Sequence, residues 1–469
     1  MPRFSALTSS RALLLLDLAA LATLWPLAFF TGILQTPHPI LLYPASQLAC
    51  LYALGLYRRD MILETRRALA RLPLALGLSL LVPATIIFFL HLPQDPLLSA
   101  GLAAASATLA RLAFHSLRRH GLFCRRLLVI GAGGRAWDLA WMLSKEGRIL
   151  NSELTFLHDP AWAALDPRLA TASILPVHEP ILAIAQRLGT DEIVVAPDER
   201  RGMDLQRLLD CKIEGFPIRQ YLTFVETEIR RVDLKRMELS WLLYSDGFYF
   251  GLLDRILKRL LDIAVSATAL LLLFPFLAAA MLAIKLGDRG PVLYRQERIT
   301  RGGRAFRITK LRTMRPDAEA AGIVWAANAD PRVTRVGNLL RRTRFDELPQ
   351  FYDVLTGRMS LVGPRPERPA FVHMLTERIP LYPERHTVRA GLTGWAQINY
   401  PYGASIDDAR SKLSYDLYYV KNFSILFDLQ ILIQTIRVVL WPDTAATLEK
   451  PLTDKPFQSS YQTPRSGAT

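Results

Sequence analysis

The sequence predicts a membrane α/β protein in three parts: a four-helix transmembrane bundle, an α/β cytoplasmic domain, and an α-rich C-terminal domain anchored by a re-entrant membrane helix. Three observations carry that prediction. Four apolar segments open the chain, at about 12–34, 39–57, 72–92 and 97–117, each approaching the roughly 20 residues a helix needs to cross hydrocarbon. An apolar strand, LLVIG at 127–131, then runs into a glycine turn and a helical pattern. Residues 263–284 are almost wholly apolar, yet Pro275 falls near their middle and basic residues flank both ends.

Composition agrees. The chain has 469 residues, enough for two or three domains. It is 51% hydrophobic and still carries a formal charge of +15. That balance is awkward for a simple soluble enzyme and suits a membrane protein whose wet surfaces meet anionic lipid or polyphosphate. Cys50, Cys124 and Cys211 are scattered without metal-ligand spacing, which argues against a disulfide framework. The apolar run from Ala12 lacks a small-residue cleavage site, so it reads as a span and not as a cleaved signal.

Within residues 1–120 the connections set the orientation. The second, YRRDMILETRRALAR, and the stretch after the fourth segment, RLAFHSLRRHGLFCRR, are rich in arginine; QTPHP and HLPQDP carry no Lys or Arg. The positive-inside rule therefore places both ends of this unit in the cytoplasm.

Next comes 125-RRLLVIGAGGRAWDLAWMLSKEG-147, in which Gly131, Gly133 and Ala136 fit the G-x-G-x-x-G/A fingerprint that sets a phosphate on a helix N-terminus. Further strands are expected in LTFLHD (154–159) and EIVVAP (192–197). Residues 121–225 thus read as a Rossmann-like domain. Nucleotide binding and a degenerate, structural or regulatory role both stay open. No Tyr-x-x-x-Lys pair follows within it, against epimerase or dehydratase chemistry.

Residues 226–253 read as a linker. The segment after it, 258–286, has Lys258 and Arg259 before and Lys285 and Arg289 after its apolar stretch, which would be ~33 Å long as a straight helix. Basic residues on both sides are odd for a crossing helix. They are expected if the helix breaks at Pro275 and re-emerges on the same face; a kinked fifth span is the alternative.

The basic region 290–319 reads as two strands, at 292–295 and 305–309, joined by a Gly302-Gly303 turn. Such charge suggests nucleic acid, but the region abuts a membrane segment and lacks interleaved stacking aromatics, so no nucleic-acid partner is expected. In 341-RRTRFDELPQFYDVLTGRMSLVGPRPER-368, Asp346 and Glu347 sit among Arg341, Arg342, Arg344, Arg358, Arg365 and Arg368. Asp346 could cap a helix with Leu348, Tyr352 and Leu355 on its apolar face, or the pair could be working carboxylates among phosphate-binding arginines. At the C-terminal end, 425–440 is short for a span and holds Asp428, Gln430, Gln434 and Arg437. It is expected to pack on the domain or lie in the interface. Residues 446–469 read as a mobile tail.

The stretches KRLLD, GPVLYRQERI, KLRTM, RFDELPQFYDVLTGRMSLVGPRPERP, RAGLTGWAQINYPYGAS and KLSYDLYYVKN together resemble the bacterial sugar transferase domain of the polyprenyl-phosphate sugar-1-phosphate transferases, here at 254–445. The N-terminal part resembles the polytopic subclass that starts exopolysaccharide, capsule or O-antigen repeat units. The resemblance implies transfer of a sugar-1-phosphate from a nucleotide sugar, UDP-linked by family weight, to undecaprenyl phosphate with release of UMP. It implies a place in the bacterial inner membrane with the catalytic domain facing the cytoplasm. It also implies membrane lipids and polysaccharide assembly proteins as partners, and a homodimer through the N-terminal part.

One phosphoanhydride is consumed and another formed, so a covalent intermediate must keep its transfer potential. An acyl phosphate does so where a serine ester would trap the group, which favours Asp346 as nucleophile. At an ordinary Asp pKa of about 3.9 it would be ionised without a general base. By the family match, Glu347 helps Asp346 hold Mg2+. Lys310, Arg312, Arg344 and Arg365 are expected on the phosphates; Gln296 and Asp416 match family positions and are expected near substrate, and His373 and His386 are expected to be structural. Pro275 would be the kink of the re-entrant helix: nucleotide sugars are cytoplasmic, and a span at 263–284 would strand Asp346 on the other side. Two departures stand out. Phe274 replaces the small polar residue common before that proline, and Ala390 replaces a proline after Arg389, which is expected to loosen that loop. A non-catalytic scaffold and a lipid-linked-sugar transporter are the rivals; the chain shows no inverted repeat of the transporter kind.

Overall fold

A computed structural model describes residues 9–37, 39–57, 62, 65–91, 96–119, 124–145, 151–160, 162, 164–199, 203–288, 290–315, 332–400, 403 and 405–440. The chain divides into two compact units, one ending at Arg236 and the other beginning at Met237. The expected tail, 446–469, lies outside the described residues.

The first unit opens with helices α1 (Ser9–Phe30), α2 (Pro39–Ala53), α3 (Thr65–Phe89) and α4 (Pro96–Arg119). α1 packs on α4, and α2 on α3. Trp25 stacks on Tyr43 at 5.4 Å in their core. Polar ties cross the bundle: Asp17 accepts from Tyr57 Oη (2.9 Å) and Arg111 Nη1 (2.7 Å), and Gln47 Nε2 donates to the Ala103 carbonyl (3.1 Å). Four helical segments among the described residues are long and apolar enough to cross a membrane: Arg11–Phe30, Ala70–Phe89, Pro96–Leu117 and Leu252–Gly287. The second expected span is not among them. α2 has only 15 residues, ~22 Å, because the chain turns at Gly55, whose φ is 73°.

The α/β domain follows, with a five-stranded parallel sheet in the order β3-β2-β1-β4-β5. Its strands are β1 (Cys124–Ile130), β2 (Asn151–His158), β3 (Ser173–Pro176), β4 (Glu192–Val195) and β5 (Ile218–Gln220), with helices α5 (Gly134–Lys145), α6 (Ile181–Leu188), α7 (Leu205–Ile213) and α8 (Tyr221–Ile229). Leu128, Val129 and Ile130 are all buried, as a central parallel strand covered on both faces requires. This is the doubly wound arrangement that the glycine fingerprint predicts.

In the second unit the residues expected as linker already dock on the domain they precede. Short helix α9 (Leu239–Tyr244) offers the Trp241 ring to Lys421 Nζ at 4.3 Å, and Phe250 meets Phe423 at 5.0 Å. α10 (Leu252–Asp288) then runs for 37 residues, helical throughout with Pro275 inside. It therefore does not break into the two separate helices expected; proline removes one backbone bond and kinks the path without ending the helix. Both ends of α10 pack on the same domain. Near its start Lys258 Nζ reaches Asp428 (2.5 Å), and Asp262 Oδ1 accepts from Ser360 Oγ (3.1 Å) and the Leu361 N–H (3.0 Å). Near its end Ala280 and Ile284 join Leu311 and Leu340 in one apolar cluster.

β6 (Leu293–Ile299) and β7 (Ala305–Leu311) form an antiparallel hairpin, longer than expected, turning at Gly302 and Gly303 with φ of 68° and 72°. Helices α11 (Arg335–Thr343) and α12 (Gln350–Leu355) follow, then strands β8 (Ser360–Val362) and β9 (Gly391–Thr393), which pair in parallel around α13 (Pro369–Arg378). α14 (Trp395–Asn399), α15 (Ile406–Lys421) and α16 (Ile425–Leu440) close the domain. α16 packs on the core: Phe427 and Ile431 join Trp395, Tyr419, Val354 and Ile308. Its polar residues turn inward too, with Arg437 Nη2 on the Ile398 carbonyl at 3.2 Å.

Candidate active site

The acidic pair sits on a 3-10 turn, Phe345–Glu347, between α11 and α12. α11 starts at Thr334, whose hydroxyl accepts from the Gly337 N–H, and ends where Arg344 turns left-handed at φ 60°. That reversal is uncommon for a residue with a side chain and reorients the chain within one step. Phe345 then anchors the turn against Phe276 of α10 at 6.2 Å and against the Leu311–Leu340 cluster.

Asp346 is 9% exposed, and among the described residues its carboxylate takes no hydrogen bond or ion pair. The capping alternative is thereby overturned: Arg344 caps the turn, Pro349 precedes α12, and Asp346 accepts from neither helix start. Glu347 differs completely. Its Oε1 receives Lys310 Nζ and Arg365 Nη2, each at 3.0 Å.

The two carboxyls are pushed in opposite directions. Burial, then the adjacent Glu347, raise Asp346 above the ordinary Asp value; Lys310, Arg344 and Arg341 offset part of this. The expectation of an ordinary Asp is corrected accordingly. Burial also works against the Glu347 anion, but the Lys310 and Arg365 cations outweigh it and hold Glu347 well below the usual carboxylate range.

The other expected residues divide. Lys310, on β7, and Arg365 converge on Glu347, and Arg365 also reaches Gln397 Oε1 at 3.4 Å. Arg344 is exposed beside the pair and acts on both carboxylates through space. Arg312 is buried, its guanidinium packed against the backbone of Gly290. Gln296 and Asp416 reach the site through intermediaries. Gln296 Oε1 accepts from Arg298 Nη2 (2.6 Å), and Arg298 Nη1 donates to the Pro366 carbonyl (3.1 Å). Asp416, 2% exposed, accepts from Arg385 Nε (3.1 Å) and Nη2 (2.8 Å), and that same Nη2 donates to the Arg365 carbonyl (3.0 Å). Two arginines thus suspend the loop that presents Arg365.

Sequence reasoning missed Arg385, Arg298 and Asp353. Asp353 is fully buried and accepts from the Thr309 N–H (2.8 Å) and Arg358 (3.3 Å), fixing α12 to the strand that carries Lys310. The one available signal was Asp416 itself: a carboxylate on the apolar face of a helix demands a buried cation. His386 is buried against Tyr382 and its pKa falls to about 4 through burial and the Arg385 charge; His373 is exposed near Glu377. Phe274, beside Pro275, is 65% exposed. Ala390 does not loosen its loop. Its N–H donates to Thr300 Oγ1 at 3.1 Å, a bond that proline could not make.

No group of three or more His, Cys, Asp or Glu side chains that could cage a metal occurs among the described residues. The pair nevertheless fits an ion shared with substrate: among the described residues both Asp346 oxygens are without partners, and Glu347 receives both its cations on Oε1. Mg2+ is commonly held by one or two carboxylates, with substrate phosphates and water completing the shell.

A membrane-attached domain with two adjacent carboxylates among fixed cations belongs to the chemistry of phosphoryl groups. Residues 253–442 match the family described as bacterial sugar transferase, and the chain belongs to that family. It is 43% identical over 190 residues to the exopolysaccharide production protein PSS of Rhizobium leguminosarum bv. phaseoli, covering 39% of this chain and 95% of that one. It is 42% identical over 236 residues to the UDP-N-acetylgalactosamine-undecaprenyl-phosphate N-acetylgalactosaminephosphotransferase of Aeromonas hydrophila, covering 50% of this chain and 54% of that one. It is also 42% identical over 185 residues to the UDP-glucose:undecaprenyl-phosphate glucose-1-phosphate transferase of Escherichia coli K12, covering 39% and 40%. The chain thus spans about half or less of the length of these last two relatives.

Proposed function

We propose that this protein transfers a sugar-1-phosphate from a UDP-sugar to undecaprenyl phosphate and so begins a polysaccharide repeat unit. The observation that carries the reading is the asymmetry of the acidic pair: Glu347 is clamped by Lys310 and Arg365, while Asp346 is buried beside it without a partner among the described residues. A nucleophile needs free lone pairs, and its neighbours need fixed charge. The names of the Aeromonas and Escherichia relatives supply the donor and acceptor classes.

The reaction divides in two. An Asp346 oxygen attacks the sugar-bearing phosphorus of the donor, the bond to the bridging oxygen breaks, and UMP leaves with that electron pair. A phosphate oxygen of undecaprenyl phosphate then attacks the same phosphorus and the Asp346 acyl–phosphate bond breaks, which frees the carboxylate and gives undecaprenyl-diphospho-sugar. No proton need be removed from either nucleophile. Lys310, Arg365 and Arg344 stabilise charge as it moves onto the leaving phosphate. When bound at Asp346 and Glu347, Mg2+ would offset the repulsion between a carboxylate and a diphosphate.

The site would lie on the cytoplasmic face of a bacterial inner membrane, where nucleotide sugars are found. The docking of both ends of α10 on one domain supports a helix that enters and leaves by the same leaflet. The test is to incubate membranes with undecaprenyl phosphate, Mg2+ and a panel of UDP-sugars and to measure UMP release. One sugar should support release, and Asp346→Asn should abolish it. Full turnover by that variant would end the reading.

A further inference from the structure

The proposed transfer reaction assigns no role to the glycine fingerprint of the α/β domain. In such domains the N–H groups that open the first helix receive a phosphate, at the point where the strand order reverses. Here that helix is α5, and the reversal lies between β1 and β4. Both leading N–H groups are already taken. Gly134 N donates to Asp198 Oδ2 at 2.6 Å, and Arg135 N to Asp198 Oδ1 at 2.9 Å.

Asp198 arrives on the loop after β4, and that loop also closes the approach over the glycine turn. A Cβ on Gly131 would lie 2.7 Å from the Ala196 carbonyl oxygen and 3.0 Å from Pro197 Cα. Residues 131–133 are buried. Arg236 completes the arrangement from the other side. Its Nη1 lies 3.6 Å from Asp198 Oδ1, its Nε donates to Asp138 of α5 at 2.8 Å, and its Nη2 would sit 2.6 Å from a Cβ on Gly134. A doubly bonded anion on a helix start, with a guanidinium beyond it, is the charge pattern of a bound phosphate.

We propose that Asp198 is a built-in anion filling the phosphate cradle, so that the α/β domain takes no nucleotide there and serves to anchor the strap at 230–236. Lys235 Nζ on Asp138 (3.2 Å) and Asp233 on Tyr221 Oη (2.6 Å) hold the rest of that strap, from which the chain passes into its second unit at Met237. A dinucleotide would have to expel a carboxylate and break both bonds to α5. Without the carboxylate, two N–H donors at the positive end of a helix would await a new anion.

The test is hydrogen–deuterium exchange on the full chain in detergent, following the segment 131–140 with and without millimolar NAD+ or inorganic phosphate. In the wild type neither should alter exchange. In Asp198→Ala the amides of Gly134 and Arg135 should exchange roughly ten- to hundredfold faster, and phosphate should slow them again. Asp198→Asn keeps the shape and one acceptor; it should show a smaller loss and carries the comparison if the alanine variant does not fold. Protection of the wild-type segment by either ligand would overturn the proposal. So would unchanged exchange in both variants, or an accelerated exchange that phosphate fails to slow.

Discussion

Asp346 and Glu347 are chain neighbours, yet one is driven toward its acid and the other held as an anion. The cause is contact: Glu347 shares one oxygen between two cations, whereas Asp346 has burial and a like charge. Under the proposed reaction Asp346 must be ionised, so activity falls as pH drops through its raised pKa. The acid limb of kcat/KM is therefore expected above the ordinary Asp value of about 3.9. Lys310 lowers the Asp346 pKa, so Lys310→Met should move that limb further up while also reducing the rate. A pH–rate profile that stays in place in the variant would contradict this assignment of the limb. The pair itself was legible in the sequence as two acids among arginines. Its division of labour was not, because Lys310 and Arg365 lie 37 and 18 positions from Glu347.

The loop between β8 and α13 owes its position to partners far along the chain. Arg385 bridges Asp416 and the Arg365 carbonyl, and Arg298 bridges Gln296 and Pro366. Asp416→Asn would leave a buried guanidinium without its counter-charge, a loss of about 3–5 kcal/mol. Chemical denaturation should show a lowered midpoint, and the KM for donor should rise because Arg365 loses its support. Asp416→Glu should recover more stability than the asparagine variant. If Asp416→Asn unfolds like the wild type, the bridge carries no weight. The apolar character of 425–440 announced α16 well enough, but the period of an apolar stripe says nothing about which cation lies across from an inward carboxylate. The same limit hid the inward turn of Asp428 and Arg437. Pro275 is the reverse case: it suggested a break where the helix runs on unbroken.

The chain as a whole pairs a bundle and a doubly wound domain with a transferase domain whose long helix touches its own body at both ends. Strands such as LLVIG and the long apolar runs were legible because each reports a local environment. The shortness of α2 and the self-filled glycine turn were not, since one depends on the backbone at Gly55 and the other on a loop 64 residues away. A topology reporter fused after residue 295 distinguishes the two paths for α10. A cytoplasmic signal is expected from a same-face helix, and a periplasmic one would require a crossing.

The pairing of Lys258 with Asp428 spans 170 positions. At ordinary translation speeds of about 5–20 residues per second, α10 leaves the ribosome roughly 10–30 s before its counter-ion exists. Until Ser360, Leu361 and Val362 emerge, Lys258 and Asp262 stand at the mouth of an apolar helix with nothing yet made to receive them, and Lys258 waits longer still for Asp428. The nascent chain therefore has a waiting period in which an insertase or a lipid headgroup must keep those charges company, and a ribosome stall before Asp428 would prolong it.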